Sequence, residues 1–96
     1  MQPIDFSKAT QDGNGFQFPG EFEITAMGNA GADLPVHVPR LLEGAGLHVL
    51  HETVRYKHSA GGNYVSVTVS FRAQTREQYD SAHTVLRADP DVRYTL

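Results

Sequence analysis

With 96 residues, 40% of them hydrophobic and 20% charged, the chain holds one small domain's worth of core and is too apolar to be an unfolded tail. The absence of cysteine excludes disulfides, thiolate metal sites, iron–sulfur clusters and thiol nucleophiles. A net charge of −3 argues against a body built chiefly to hold nucleic acid, and no stretch approaches the ~20 apolar residues of a membrane-spanning helix. The opening MQPIDFSKATQDGNG lacks an apolar run of signal-peptide length, so the cytoplasm is the expected compartment and no membrane association is expected.

Residues 1–17 show neither a period of 2 nor one of 3.6 and are expected to form a flexible arm, with residues 18–96 as a single domain. In FPGEFEITAMG, Phe22, Ile24 and Ala26 alternate with Glu23, Thr25 and Met27, which predicts a first strand. Gly28 and Gly31 are expected to bracket the turn after it. Asp33 is placed to cap a helix whose inner face is Leu34, Val38, Leu41, Leu42 and Ala45. Pro35 suits the first turn, whereas Pro39 requires that the helix bend there or start there. The helix ends over Gly44 to Gly46.

HVLHETVRYKH reads as a second strand with Leu50, Val54 and Tyr56 inward and His51, Thr53, Arg55 and Lys57 outward. SAGGN is turn chemistry that joins it as a hairpin to YVSVTVSFRA. In that third strand Val65, Val67, Val69 and Phe71 point one way and Tyr64, Ser66, Thr68 and Ser70 the other. Thr75 and Gln78 form a capping box before a second helix with Tyr79, Ala82, Val85 and Leu86 as its inner stripe. ADPD stops it. A last strand, VRYTL, places Val92, Tyr94 and Leu96 on one side. The order βαββαβ is α+β and ferredoxin-like: a four-stranded antiparallel sheet with two helices on one face, and the second and last strands at the edges.

The candidate chemistry is sparse. His37, His48, His51, His58 and His83 have no metal-ligand spacing and no accompanying acidic cluster, so neither metal nor cofactor is expected. No G-x-S-x-G elbow places a serine beside a base. The turn Gly28, Asn29 and Gly31 could present backbone N–H groups to an anion, although it lacks the full phosphate-binding pattern. The outward row Tyr64, Ser66, Thr68 and Ser70 offers a single aromatic where an RNA-recognition sheet stacks two or three bases. Around that row, Arg55, Lys57, Arg72 and Arg93 are opposed by Glu23 alone, which makes the outer face more basic than the whole.

Phe18 and Pro19, Met27 and Gly28, GNYVSVTV from Gly62 to Val69, the helix start from Thr75 to Gln78, and the terminal DVRYTL together resemble the YbeD-like family of small bacterial proteins of unknown function. The resemblance covers about four fifths of the chain, from Phe18 to Leu96. It implies an ACT-like version of the ferredoxin fold, the fold of small regulatory modules that bind amino acids, and members carry a label as regulators related to lipoic acid. Pro39 and the longer arm depart from the family's pattern.

Residues and resemblance together lead to a non-catalytic regulatory or interaction module. Its expected contacts are a protein partner or a second copy, with a homodimer among the forms, and a small anionic metabolite. Gly28, Asn29, Gly31, Arg55, Lys57, Tyr64, Ser66, Thr68, Ser70 and Arg72 are the candidate binding residues. The alternative is a nucleic-acid-binding accessory that uses the basic outer face; a hydrolase of the acylphosphatase kind ranks last, because no arginine-bearing glycine loop follows the first strand.

Overall fold

Segments whose side chains alternate between two faces become strands, and segments with a 3.6-residue period become helices. The computed structural model describes residues 17–96, so the expected arm lies outside the described residues except for Gln17. Strands β1 (Gly20–Asn29), β2 (His48–His58), β3 (Tyr64–Ala73) and β4 (Val92–Thr95) and helices α1 (Leu34–Gly44) and α2 (Arg76–Arg87) follow in the order β1-α1-β2-β3-α2-β4. The strands form one antiparallel sheet in the order β2-β3-β1-β4. Helix α1 lies across β2 and β3, and α2 across β4 and β1. This is the ferredoxin-like arrangement, with β2 and β4 at the edges.

The core follows from the two central strands. Ile24 and Ala26 of β1 and Val65, Val67, Val69 and Phe71 of β3 meet Leu34, Val38 and Leu42 of α1 and Ala82 and Leu86 of α2, all buried. Each large side chain in that set contributes about 1.5–3 kcal/mol by leaving water. β1 and β3 pair without a slip from Gly20↔Ala73 to Asn29↔Tyr64, because a shift of one residue would turn the whole apolar row out to solvent.

The helix ends depart from expectation in informative ways. Asp33 occupies the cap position of α1, but its side chain makes no cap hydrogen bond. A 3-10 turn over Ala30–Ala32 leaves Asp33 at φ 55°, and its carbonyl accepts the N–H groups of Val36 at 3.0 Å and His37 at 2.9 Å. Aspartate tolerates this left-handed conformation better than most residues. Helix α1 runs through Pro39, which is buried. Ala45, expected on the inner face, is exposed. Gly46 at φ 86° turns the chain there, and Leu47 takes the buried place while its N–H donates to Leu42 at 3.2 Å. At α2 half of the expected capping box forms: Thr75 Oγ1 accepts the Gln78 N–H at 3.2 Å, while Gln78 Oε1 reaches one residue further back and accepts the Gln74 N–H at 2.6 Å.

Both edge strands correct the expected orientation. On β2, Val49 faces the core opposite Phe71, and Leu50 lies opposite Ser70 on the outer side. Then His51, Glu52, Thr53 and Val54 stand against Val69 alone before Arg55 pairs with Thr68. This wide bulge is plugged by Thr53, whose hydroxyl donates to the Leu50 carbonyl at 2.6 Å and accepts the Ser70 N–H at 2.8 Å. The side chain thus replaces a ladder partner that the bulge removes. Tyr56, expected to be core, stands opposite Val67 but is 59% exposed, because the edge has no neighbour on its far side. On β4 the register shifts between Met27 and Gly28, so Val92 opposes Gly28, Tyr94 opposes Met27, and Arg93 is the extra residue. Val92 stays buried while Tyr94 turns to the opposite face from it. The expected single row of Val92, Tyr94 and Leu96 is broken at Arg93.

Candidate functional site

Two helices on one side of a sheet leave its other side open, and that face holds most of the candidate residues. Ser66, Thr68 and Ser70 point outward, half-buried, as the alternation requires. Thr68 shares a hydrogen bond of 2.8 Å with Thr25, its partner in the β1–β3 register. The low profile of this row lets Arg55, on β2, reach across β3 and donate to Glu23 on β1 at 2.8 Å. Arg72 pairs with Glu21 at 3.2 Å. The face was expected to set four cations against Glu23 alone; Glu21 joins it, and Arg55 and Arg72 are both matched by a carboxylate.

The other half of the open face, beside the β2–β3 hairpin, is built differently. Lys57 lies opposite Ser66, and the Arg93 guanidinium sits 5.6 Å from the centroid of the Tyr64 ring. Among the described residues neither Lys57 nor Arg93 has a carboxylate partner. Tyr64 is 42% and Tyr94 50% exposed, and Met27 lies opposite Tyr94. Met27, Lys57, His58, Tyr64 and Ser66 border a shallow depression of about 180 Å³. Sequence reading missed Tyr94 here, since a period of 2 cannot anticipate a bulge; it places Met27 outward but not in a site.

Gly28 explains that bulge. It lies inside β1, and a Cβ there would stand 1.9 Å from the Asp91 carbonyl oxygen and 2.9 Å from Leu34 Cδ1. Its role is therefore close backbone approach to the α2–β4 loop, and the expected glycine-bracketed turn begins later, at Ala30. The Asn29 N–H donates to Asp91 at 3.2 Å and the Ala30 N–H to Asn63 at 3.0 Å, so two donors of the supposed anion site are already engaged. Gly31 is exposed, with open space around it. The loop that approaches Gly28 is held by Asp89, whose carboxylate accepts the Asp91 N–H at 2.8 Å and the His37 Nε2–H at 2.5 Å. Burial pushes the Asp89 pKa up, but the Asp91 N–H and then His37 outweigh it and hold the group below the ordinary carboxylate value.

A second polar surface lies where α2 overhangs β4. Tyr79, Asp80, His83, Thr84 and Arg87 line a groove of about 440 Å³. Arg87 Nε donates to Thr95 Oγ1 at 3.3 Å, and His83 Nδ1 meets the same oxygen at 3.3 Å. Burial, and then the Arg87 charge, lower the His83 pKa against the opposing pull of Asp80. Asp80 pairs with Arg76 at 3.4 Å. Among the described residues no carboxylate orients the other nitrogen of His83, so the Thr95–His83 contact shows no third member of a nucleophilic site there. Among the described residues no group of three His, Asp or Glu side chains is placed to hold a metal ion, and no helix is long and apolar enough to cross a membrane.

The chain belongs to the family described as a protein of unknown function, DUF493, whose model matches residues 14–96. Relatives are UPF0250 proteins: one from Xanthomonas campestris is 54% identical over 83 residues, covering 86% of this chain and 90% of that protein. Another, from Xylella fastidiosa, is 52% identical over 89 residues, covering 93% and 97%. The solution structure of protein HP0495 from H. pylori superposes with a TM-score of 0.72 over 100% of this chain and 96% of that one, at 15% identity. That likeness concerns the fold. The family and the α+β architecture agree with the YbeD-like resemblance drawn from the residues.

Proposed function

We propose that this chain is a non-catalytic interaction module, of regulatory type, which engages its partner through the hairpin-end half of the open sheet face. The observation that carries the reading is the contrast in charge pairing: Arg55 and Arg72 are matched by carboxylates, while Lys57 and Arg93, beside Tyr64 and Tyr94, have no carboxylate partner among the described residues. Exposed tyrosine and arginine side by side are the residue types that dominate binding energy at protein interfaces. Unmatched cations steer an acidic partner and fix its register. The half-buried hydroxyls keep the surface low enough for a flat partner to approach, and the depression beside Lys57 has room for a small anion. A protein partner, a second copy and a small anionic metabolite all fit this chemistry, as the ACT-like resemblance implies.

The test compares charge reversals on the two halves. Lys57→Glu with Arg93→Glu should abolish self-association or partner capture while circular dichroism stays native. Arg72→Glu, already beside Glu21, should act mainly on its own pair. Equal loss from both halves, or from neither, would remove the basis of the reading.

Tyr94 favours one further reading, single-stranded nucleic acid, because it supplies a second exposed aromatic on a face that shows one in sequence. Binding of a random single-stranded RNA that weakens steeply with salt, and is lost in Tyr94→Ala, would promote it.

A further inference from the structure

The two halves of the open face complement each other in charge. The matched half carries Glu21 and Glu23 on β1, whose side chains stay more than half exposed although Arg72 and Arg55 pair with them. A carboxylate offers about four acceptor positions, so each glutamate can take a second cation. The hairpin half carries Lys57 and Arg93, which have no carboxylate partner among the described residues. Between the halves lies the Thr25–Thr68 pair, opposed in the register and joined at 2.8 Å.

A two-fold rotation about a line parallel to the sheet and perpendicular to its strands keeps the strand order and exchanges the strand ends. Passed above the Thr25–Thr68 pair, it lays the hairpin half of one chain on the matched half of a second, twice over. Ser66 and Ser70 lie equally far on either side of Thr68. Lys57 stands opposite Ser66 and Glu23 opposite Ser70, so Lys57 arrives where the second copy's Arg55–Glu23 pair crosses β3. Tyr64 and Arg72 are the next outward positions, so Arg93, seated over the Tyr64 ring, arrives at the Arg72–Glu21 pair. Arg55 stands opposite Thr68, at the level of the axis, and turns to its own Glu23 and hence away from its copy.

We infer that the open face is a homodimer interface in which each chain's hairpin half seats on the other's matched half, Lys57 against Glu23 and Arg93 against Glu21. The inference rests on the reading of this face as an interaction surface and names its partner as a second copy. Packed sheets lie about 10 Å apart, and the short side chains of Thr25, Ser66, Thr68 and Ser70 allow that approach along the middle of the face. β1, β2 and β3 have ten, eleven and ten residues; at ~3.4 Å per residue and ~4.8 Å between strands they cover about 500 Å² per chain. Two chains therefore bury about 1,000 Å², the low end for a specific interface, and the dimer is a reversible one.

Sedimentation equilibrium of the full chain should show a dimer that weakens as salt rises. Lys57→Glu with Arg93→Glu, and separately Glu21→Lys with Glu23→Lys, change exposed side chains, so circular dichroism should stay native while each weakens self-association at least tenfold. Mixed in equal amounts, these two variants should form a heterodimer, because the acids of one then meet the cations of the other at both contacts. Arg72→Glu adds an acid where the cations arrive and should not weaken association. Since the chain has no cysteine, a thiol cross-linker spanning about 10 Å should join two Thr68→Cys chains beside the axis and not two Glu77→Cys chains, whose thiols lie on α2. A chain that stays monomeric at millimolar concentration, a mixture that stays monomeric, or cross-linking at Glu77 and not at Thr68 would overturn the second copy as partner. Hexaglutamate then separates the two claims: binding to the monomer that Lys57→Glu with Arg93→Glu removes would keep the face as an interaction surface, and no binding would remove both.

Discussion

The open face of the sheet is one surface made in two ways. Toward the β1 start, two arginines lie against two glutamates, Arg55 on Glu23 and Arg72 on Glu21, and the hydroxyl row beneath them is low enough for the longer pair to span a strand. Toward the β2–β3 hairpin, the same strands present Lys57, Tyr64, Arg93 and Tyr94 with no acid among them. The first half satisfies its charges within the sheet; the second has no acid to match its cations among the described residues. Exposed pairs of the first kind contribute only about 0–1 kcal/mol, so the difference concerns recognition far more than stability.

The largest change tests what both halves share. Val67 is fully buried beneath the hydroxyl row, and Val67→Asp puts an unpaired charge in the core. A domain of this size is stable by roughly 5–10 kcal/mol, and a buried unpaired charge consumes most of it. Circular dichroism should show an unfolded chain at 25 °C; a native spectrum would mean that the inner and outer faces are assigned the wrong way round.

Gly28→Ala should separate the halves. The new methyl would collide with the Asp91 carbonyl, which is backbone and cannot swing aside, so β4 and its loop must shift at a cost on the order of 2–4 kcal/mol. Chemical-shift changes should concentrate at Tyr64, Arg93 and Tyr94 and spare Arg72 and Glu21. Uniform changes would show that the two halves are one cooperative surface.

Asp89→Asn is a gentler form of the same test, because it weakens the loop that approaches Gly28 without adding bulk. Hydrogen bonds to a charged group contribute about 1.5–3 kcal/mol, and a loss of about 1–2 kcal/mol at pH 7 is expected. The Asp89 pKa is lower in the folded chain than its ordinary value of 3.8. Its contribution is therefore complete above about pH 4 and disappears as pH falls through the folded value. Denaturant midpoints of the native chain and the variant should converge in acid; a gap that persists at pH 2 would assign the loss to shape and not to charge.

Smallest of all, Glu23→Gln removes one exposed pair from the matched half and should change stability by no more than about 0.5 kcal/mol. Its value lies in recognition. Freed of its carboxylate, Arg55 should make the matched half attract an acidic partner, and a measurable gain in binding there would sharpen the contrast into a rule about unmatched cations. No gain would put the weight on Tyr64 and Tyr94.

Much of this was legible in the residues. Alternation in β3 placed Val65, Val67, Val69 and Phe71 inward and Tyr64, Ser66, Thr68 and Ser70 outward; the spacing of Ala82 and Leu86 found the inner stripe of α2; and the element order led to the sheet order. These features are local, since a side chain's face in a regular element depends only on its position in the period. Where the period is interrupted, local reading failed. The bulge in β2 depends on a hydroxyl bridging Leu50 and Ser70 across two strands, and Thr53 looks like any outward threonine in sequence. The turning of Tyr94 to the open face depends on the backbone of Asp91 meeting a glycine more than sixty residues earlier. Likewise Glu21 counts as a partner only once Arg72 stands opposite it. The sequence by itself determined which segments are strands and helices and which side of the central strands is core, because burial of apolar surface repeats with the element's own geometry. Tertiary structure alone decided which charges are matched and which stand free, because that is a matter of which strands lie side by side and in what register.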